Sequence, residues 1–138
     1  MEANITWQEN VAFSGVSDSG HVIAIDGPKE FGGRNTGARP MELMLLGLGG
    51  CASFDVVTIL TKGRAQVSKC EARITAQRAN EDPKVFTHIH FHFILAGKNL
   101  SESRIARAVE LSAKKYCSAS IMMNRAGIDV THSFDLKK

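Results

Sequence analysis

The chain has 138 residues, 43% of them hydrophobic and 22% charged, with a formal net charge of +3. This is one domain's worth of sequence (1–138), long enough for a real core and of ordinary soluble, globular composition. The charge is mild, and no Lys/Arg run or basic stripe with interleaved aromatics appears, which argues against nucleic-acid binding.

The first ten residues, MEANITWQEN, carry an early acid and no apolar stretch. They do not read as a signal peptide, so a cytoplasmic location is expected. Residues 4–16 and 21–26 read as two or three short antiparallel strands turning at Ser17–Gly20. Residues 27–39, GPKEFGGRNTGAR, form a loop with four glycines and two arginines, Arg34 and Arg39. Loops carry function more often than cores do, but a solvated connection is the plainer reading.

The stretch from Ala38 to Gly63 organises the rest. Pro40 suits the first position of a helix, and Lys62 followed by Gly63 suits its end. The helix spans about 23 residues, roughly 34 Å. Its apolar residues go nearly all the way round, the pattern of a helix buried on every side. The run Met41–Leu48 is broken by Glu42 and is short for a membrane span. Gly47, Gly49 and Gly50 each cost about 1 kcal/mol in a helix interior, which predicts close approach of a backbone or a ligand. Cys51 follows directly, as a packed small hydrophobe or as a reactive thiol with space beside it; residue type alone favours packing.

Gln66–Ala79 alternates as a half-buried strand and puts Cys70 on its core face, a structural position. Lys84–Ala96 is the clearest strand, with His88, His90 and His92 on one side. Neighbouring Cα atoms on that side lie roughly 6.5–7 Å apart, so three histidines on one straight strand reach too far for zinc bonds of about 2.0–2.1 Å. A polar outer face, with a subunit contact as one use for it, is the better reading. Asn99–Tyr116 reads as a helix capped by Ser101, and Ser118 as the cap of a second, short helix. Cys117 then precedes a helix N-terminus, where the dipole favours a thiolate. Ile128–Leu136 closes the chain as a strand. Three cysteines are too few and odd in number for a disulfide scaffold, and in a reducing compartment a bridge between two of them is catalytic or redox-sensing. The elements make an α+β fold with mainly antiparallel pairing. A helix buried all round in so small a chain calls for a second copy, a homodimer.

This order of elements with these cysteines resembles the OsmC/Ohr family, closest to its YhfA-like branch. The likeness covers nearly the whole chain. It is carried by R-P-x-E-L…G-G-C from Arg39 to Cys51, by A-K-K-Y-C-S from Ala113 to Ser118, by the 66-residue separation of Cys51 and Cys117, and by Phe134 within T-H-S-F-D-L. It implies antiparallel sheets around a long buried central helix in an intertwined homodimer, and for many members reduction of organic hydroperoxides. By position, Cys51 is then the peroxidatic thiolate and Cys117 the resolving cysteine, giving a disulfide that an external dithiol reduces. Arg34 matches the family's thiolate-activating arginine best, and Arg39 is a second candidate. Where the family's peroxidases carry an arginine-holding glutamate, Met41 stands here; Glu42 is next, turned by about 100°.

The leading expectation is a cysteine-based peroxidase without metal or cofactor, its substrates lined by Met41, Met44 and Leu48. The alternative is a protein that binds a small lipophilic molecule or senses redox state on the same fold. A metal site on the three histidines ranks third.

Overall fold

Period-two alternation at both ends of the sequence and a long apolar segment between them give six strands and three helices. The computed structural model describes all residues, Met1–Lys138. The order is β1 (Ala3–Glu9), β2 (Ala12–Ser17), β3 (Val22–Ile25), α1 (Pro40–Lys62), β4 (Gln66–Arg78), β5 (Phe86–Lys98), α2 (Glu102–Leu111), α3 (Ser118–Arg125) and β6 (Asp129–Lys137). The chain divides into two units, Met1–Leu46 and Gly47–Lys138.

In the first unit β1, β2 and β3 form an antiparallel meander. The register sets Ile5 opposite Gly15, Trp7 opposite Phe13, Phe13 opposite Ile25 and Gly15 opposite Ile23. Ile5, Trp7, Phe13, Ile23 and Ile25 therefore share one face. That face is open: Ile5 is 56% and Trp7 63% exposed.

The glycine-rich loop is built around Asp26 rather than merely solvated. Its carboxylate accepts the N–H groups of Gly27 (2.8 Å), Arg34 (2.9 Å) and Thr36 (3.1 Å) and the Thr36 hydroxyl (2.9 Å). The Asp26 N–H in turn donates to the Ala38 carbonyl at 3.1 Å. A Cβ at Gly37 would collide with the Ala24 carbonyl, so the loop lies against β3 where it has no side chain. The Thr36 and Arg34 N–H groups hold the Asp26 pKa down from 3.8 to about 2.

Burial of α1 follows one stripe, Leu48, Ala52, Val56 and Leu60. In the single chain Leu46 is 65% and Phe54 72% exposed, the sides of the apolar helix for which the sequence calls for cover by a second copy. A single three-stranded sheet can cover one side of a helix only. Leu48, 2% exposed, belongs to the core and does not line a cleft as expected. The predicted close approach occurs at Gly49, where a Cβ would strike the Ile74 side chain of β4, while Gly47 and Gly50 face open space. The helix ends at Lys62 as predicted, but the left-handed residue of the stop is Arg64 and not Gly63. Arg64 takes the left-handed conformation (φ 64°), with Arg64 N–H donating to the Thr61 carbonyl (2.9 Å) and Ala65 N–H to the Leu60 carbonyl (3.0 Å). These two bonds are the Schellman pattern. By length and mean hydropathy (1.9) the whole helix matches a bilayer span, which the short Met41–Leu48 run did not indicate. Core helices meet the same criterion, and its stripe is seated inside the chain.

In the second unit β5 is central, antiparallel to β4 and parallel to β6. The parallel pair departs from an otherwise antiparallel plan because α2 and α3 make the crossover that a parallel return needs. Ile89, Phe91, Phe93 and Leu95 are fully buried. His132 of β6 stacks on Phe91 with centroids 5.0 Å apart. Burial, and secondarily His90, pushes its pKa down, keeping it neutral.

Because the Asp26 pKa lies below its unfolded value, its contribution is complete above about pH 4 and is lost as pH falls through about 2. The Arg34 and Thr36 amide resonances are expected to titrate with a midpoint near pH 2. Asp26→Asn is expected to abolish that titration and speed exchange of both amides; a wild-type midpoint near the usual carboxylate value would refute the assignment.

Candidate functional site

Two cysteines far apart in sequence meet in the second unit. Cys51 and Asp55 stand one helical turn apart on α1 and so share a side. Cys117 is placed by the end of α2. The predicted helix through Tyr116 stops as regular α-helix at Leu111, and Ser112–Tyr116 form a wider π-helical turn. The Cys117 N–H closes that turn on the Ser112 carbonyl at 2.8 Å. Such turns recur at functional sites. Ser101 caps α2 as expected, accepting the Arg104 N–H at 3.3 Å. The cap of α3 is Cys117 itself and not Ser118, which is already helical: its Sγ accepts the Ser120 N–H at 3.4 Å.

The Sγ of Cys51, a carboxylate oxygen of Asp55 and the Sγ of Cys117 all lie within 4.8 Å of one another. Both thiols are free; Cys51 is half-buried and Cys117 wholly buried. Burial pushes the Cys117 thiol up, against the pull of the Ser120 hydroxyl and N–H, and the adjacent Cys51 raises it further. The expected thiolate at a helix N-terminus is therefore corrected: desolvation outweighs the cap, and Cys117 is a protonated thiol at neutral pH. Asp55 also has its pKa raised by burial, partly offset by the Ser112 hydroxyl. Its Oδ2 is buried without a hydrogen-bond partner. Asp55 was not among the predicted site residues. Its spacing of four from Cys51 on a helix was the available signal, and its neighbours Ser112 and Ser120 had none. A cavity of about 410 Å³ opens beside the cluster, lined by Asp55 with Phe54, Ile59, Leu111, Tyr116 and Lys62.

The other predicted residues lie in the first unit and bond within it. Arg34 Nη1 donates to Glu9 Oε1 at 3.1 Å, an exposed pair. Arg39 Nη1 donates to Asn35 Oδ1 (3.2 Å) and to the Gly37 carbonyl (3.1 Å). Glu42 Oε2 accepts the backbone N–H of Arg39 at 3.2 Å, the reach-back of a third-position acid to the residue capping its helix. Glu42 is thus engaged at the start of α1.

The three histidines of β5 bond to β6 and do not converge. His88 Nδ1 meets Asp129 Oδ2 (2.9 Å), His90 Nδ1 meets Thr131 Oγ1 (2.6 Å) and His92 Nδ1 meets Ser133 Oγ (2.7 Å). Cys70 is half-buried on β4, its thiol pushed up by burial.

Exposure and desolvation order the three thiols. A pulse of iodoacetamide at neutral pH, read by peptide mass mapping, is expected to label Cys51 first. Cys117 is expected to follow only when pH rises above the ordinary thiol range or the fold opens. Labelling of Cys117 ahead of Cys51 would contradict the geometry.

A family model described as "OsmC-like protein" matches residues 33–133. The YhfA protein of Escherichia coli K12 is 45% identical over 139 residues, covering 99% of this chain and 98% of its own length. The solved structure of an OsmC-like protein from Mycoplasma pneumoniae has a TM-score of 0.84 at 18% identity, covering 99% of this chain and 96% of that one. The organic hydroperoxide resistance protein OhrB of Bacillus subtilis has a TM-score of 0.64 at 19% identity, covering 98% of each chain. At those two identities the likeness is one of fold. With the family model spanning most of the sequence and a relative of this identity matched end to end, the chain belongs to the OsmC-like family.

Proposed function

We propose that this protein is a cysteine-based peroxidase acting on organic hydroperoxides in the reducing cytoplasm, with Cys51 peroxidatic and Cys117 resolving. The observation that carries this reading is the meeting of a half-open thiol and a buried one within 4.8 Å. In the first step the Cys51 thiolate attacks the outer peroxide oxygen. The O–O bond breaks, the alcohol leaves with a proton, and Cys51 becomes a sulfenic acid. The Cys117 thiol then displaces water from that sulfenic acid, forming the disulfide, and an external dithiol returns both sulfurs to thiols. A buried, protonated Cys117 suits the second role, since it leaves the first attack to Cys51. The apolar wall of the cavity beside Asp55 supports a lipophilic or aromatic peroxide as substrate. By family position the activating cation is Arg34, with Arg39 second.

A second reading is supported by one observation. Met41 stands where peroxidases of the family carry glutamate, and Glu42 caps α1 instead. On that reading the cavity holds a lipophilic ligand and the thiols sense redox state.

Stoichiometric titration with cumene hydroperoxide, followed by turnover with excess peroxide and dithiothreitol, separates the two, since a sensor reacts once and a peroxidase turns over. The peroxidase reading expects loss of two thiols and about 2 Da per chain, abolished by Cys51→Ser; Cys117→Ser is expected to stop at a sulfenic acid, a gain of about 16 Da. All three thiols remaining free over minutes would sink the peroxidase and favour the ligand.

We also propose a homodimer. The open apolar face of β1–β3 and the exposed Leu46 and Phe54 of α1 support it, because a three-stranded meander needs its apolar face covered. Sedimentation is expected to give twice the chain mass, reduced to one chain in the double variant Ile5→Asp, Ile23→Asp. A wild-type monomer at micromolar concentration would exclude the dimer.

A further inference from the structure

Beyond redox chemistry, the geometry points to a second use of the reduced thiols: Cys51, Asp55 and Cys117 form a three-ligand site, two sulfurs and one oxygen, for a soft divalent cation of the zinc class. The donors lie within 4.8 Å of one another. Tetrahedral zinc, with bonds of about 2.3 Å to sulfur and 2.0–2.2 Å to oxygen, sets its donors roughly 3.6–3.8 Å apart. Closing that difference of about an ångström lies within side-chain rotation.

The supports are rigid. Cys51 and Asp55 stand at i and i+4 on α1, the spacing at which one helix face offers two ligands to one ion. Cys117 comes from the cap of α3. Asp55 Oδ2 is buried and lacks any hydrogen-bond partner, a need that a bound cation meets. A partner that orients one donor is already present, the Ser120 N–H on Cys117 Sγ (3.4 Å). Two thiolates select zinc, cadmium or similar ions over magnesium and calcium, and three ligands leave a fourth position open.

Binding is not a redox step. Two S–H bonds break, two metal–sulfur bonds form and two protons go to solvent. The disulfide cannot bind, so metal capture and sulfur oxidation exclude one another. The histidine strand, where a metal was considered from sequence, has its Nδ1 atoms already bonded to β6.

The test is titration of the reduced, untagged full chain with Co²⁺, with no peroxide present. The expected result is a thiolate-to-cobalt charge-transfer band saturating at one ion per chain and displaced by Zn²⁺. Cys51→Ser and Cys117→Ser are expected to abolish it, and Asp55→Asn, of unchanged shape, to weaken binding roughly tenfold or more. Should Cys117→Ser fail to fold, the half-exposed Cys51→Ser decides alone. Absence of a saturable band, or a full band in Cys51→Ser, overturns the site; unchanged affinity in Asp55→Asn overturns the carboxylate as ligand. Since the readout is cobalt absorption, failure here leaves the peroxidase reading standing, and the reverse holds equally.

Discussion

The seating of α1 by one residue per turn, Leu48, Ala52, Val56 and Leu60, is the constraint on which the second unit depends. Once that stripe is buried, the 100° step between successive residues decides where every other side chain of the helix stands. Cys51 and Asp55 fall at the margin of the stripe, half in and half out, one above the other. Gly49 lets the helix close on Ile74 of β4 without a side chain between them. A helix rotated by one residue would put the thiol into the core or into solvent, and either would end the meeting with Cys117.

Cys117 shows two local effects in opposition. As the cap of α3 its sulfur receives the Ser120 N–H and lies at the positive end of a helix, which favours a thiolate. It is also wholly buried beside a second thiol, which favours the neutral form, and that effect prevails. The outcome is an asymmetric pair: one sulfur within reach of a ligand, one held back. The same asymmetry suits both proposed roles of Cys117, resolving thiol and metal ligand, since each needs a fixed sulfur that small oxidants do not reach first. Asp55 adds a carboxyl whose burial is only partly compensated, and polar groups left in that condition concentrate where chemistry or binding occurs.

In the first unit the polar groups serve the chain itself. Asp26 gathers the glycine loop through three backbone N–H groups, and Glu42 reaches back to the residue before α1. Both carboxylates satisfy backbone donors at places where the chain changes direction and no ladder can do so. The meander beside them has a hydrophobic face of five residues that its own unit leaves open.

The sequence by itself determined the elements and most of their boundaries. Period-two alternation at Gln66–Ala79 and Lys84–Ala96, within two residues of the strands formed, the proline opening α1 and the Ser101 cap are local signals, and local sterics and hydrogen bonding suffice to produce them. It also marked Cys51 and Cys117, through motif and separation. Tertiary structure decided the rest. Which side of an all-round apolar helix is covered depends on a sheet supplied from elsewhere in the chain, so the burial of Leu48 and the exposure of Phe54 have no signature at either residue. The parallel pairing of β5 with β6 depends on where the crossover helices pack. Asp55 became a candidate only because the chain after the turn at Ser112–Tyr116 places a buried sulfur within 4.8 Å of it. Desolvation, which set the protonation of Cys117, is a property of surroundings and not of neighbours in sequence.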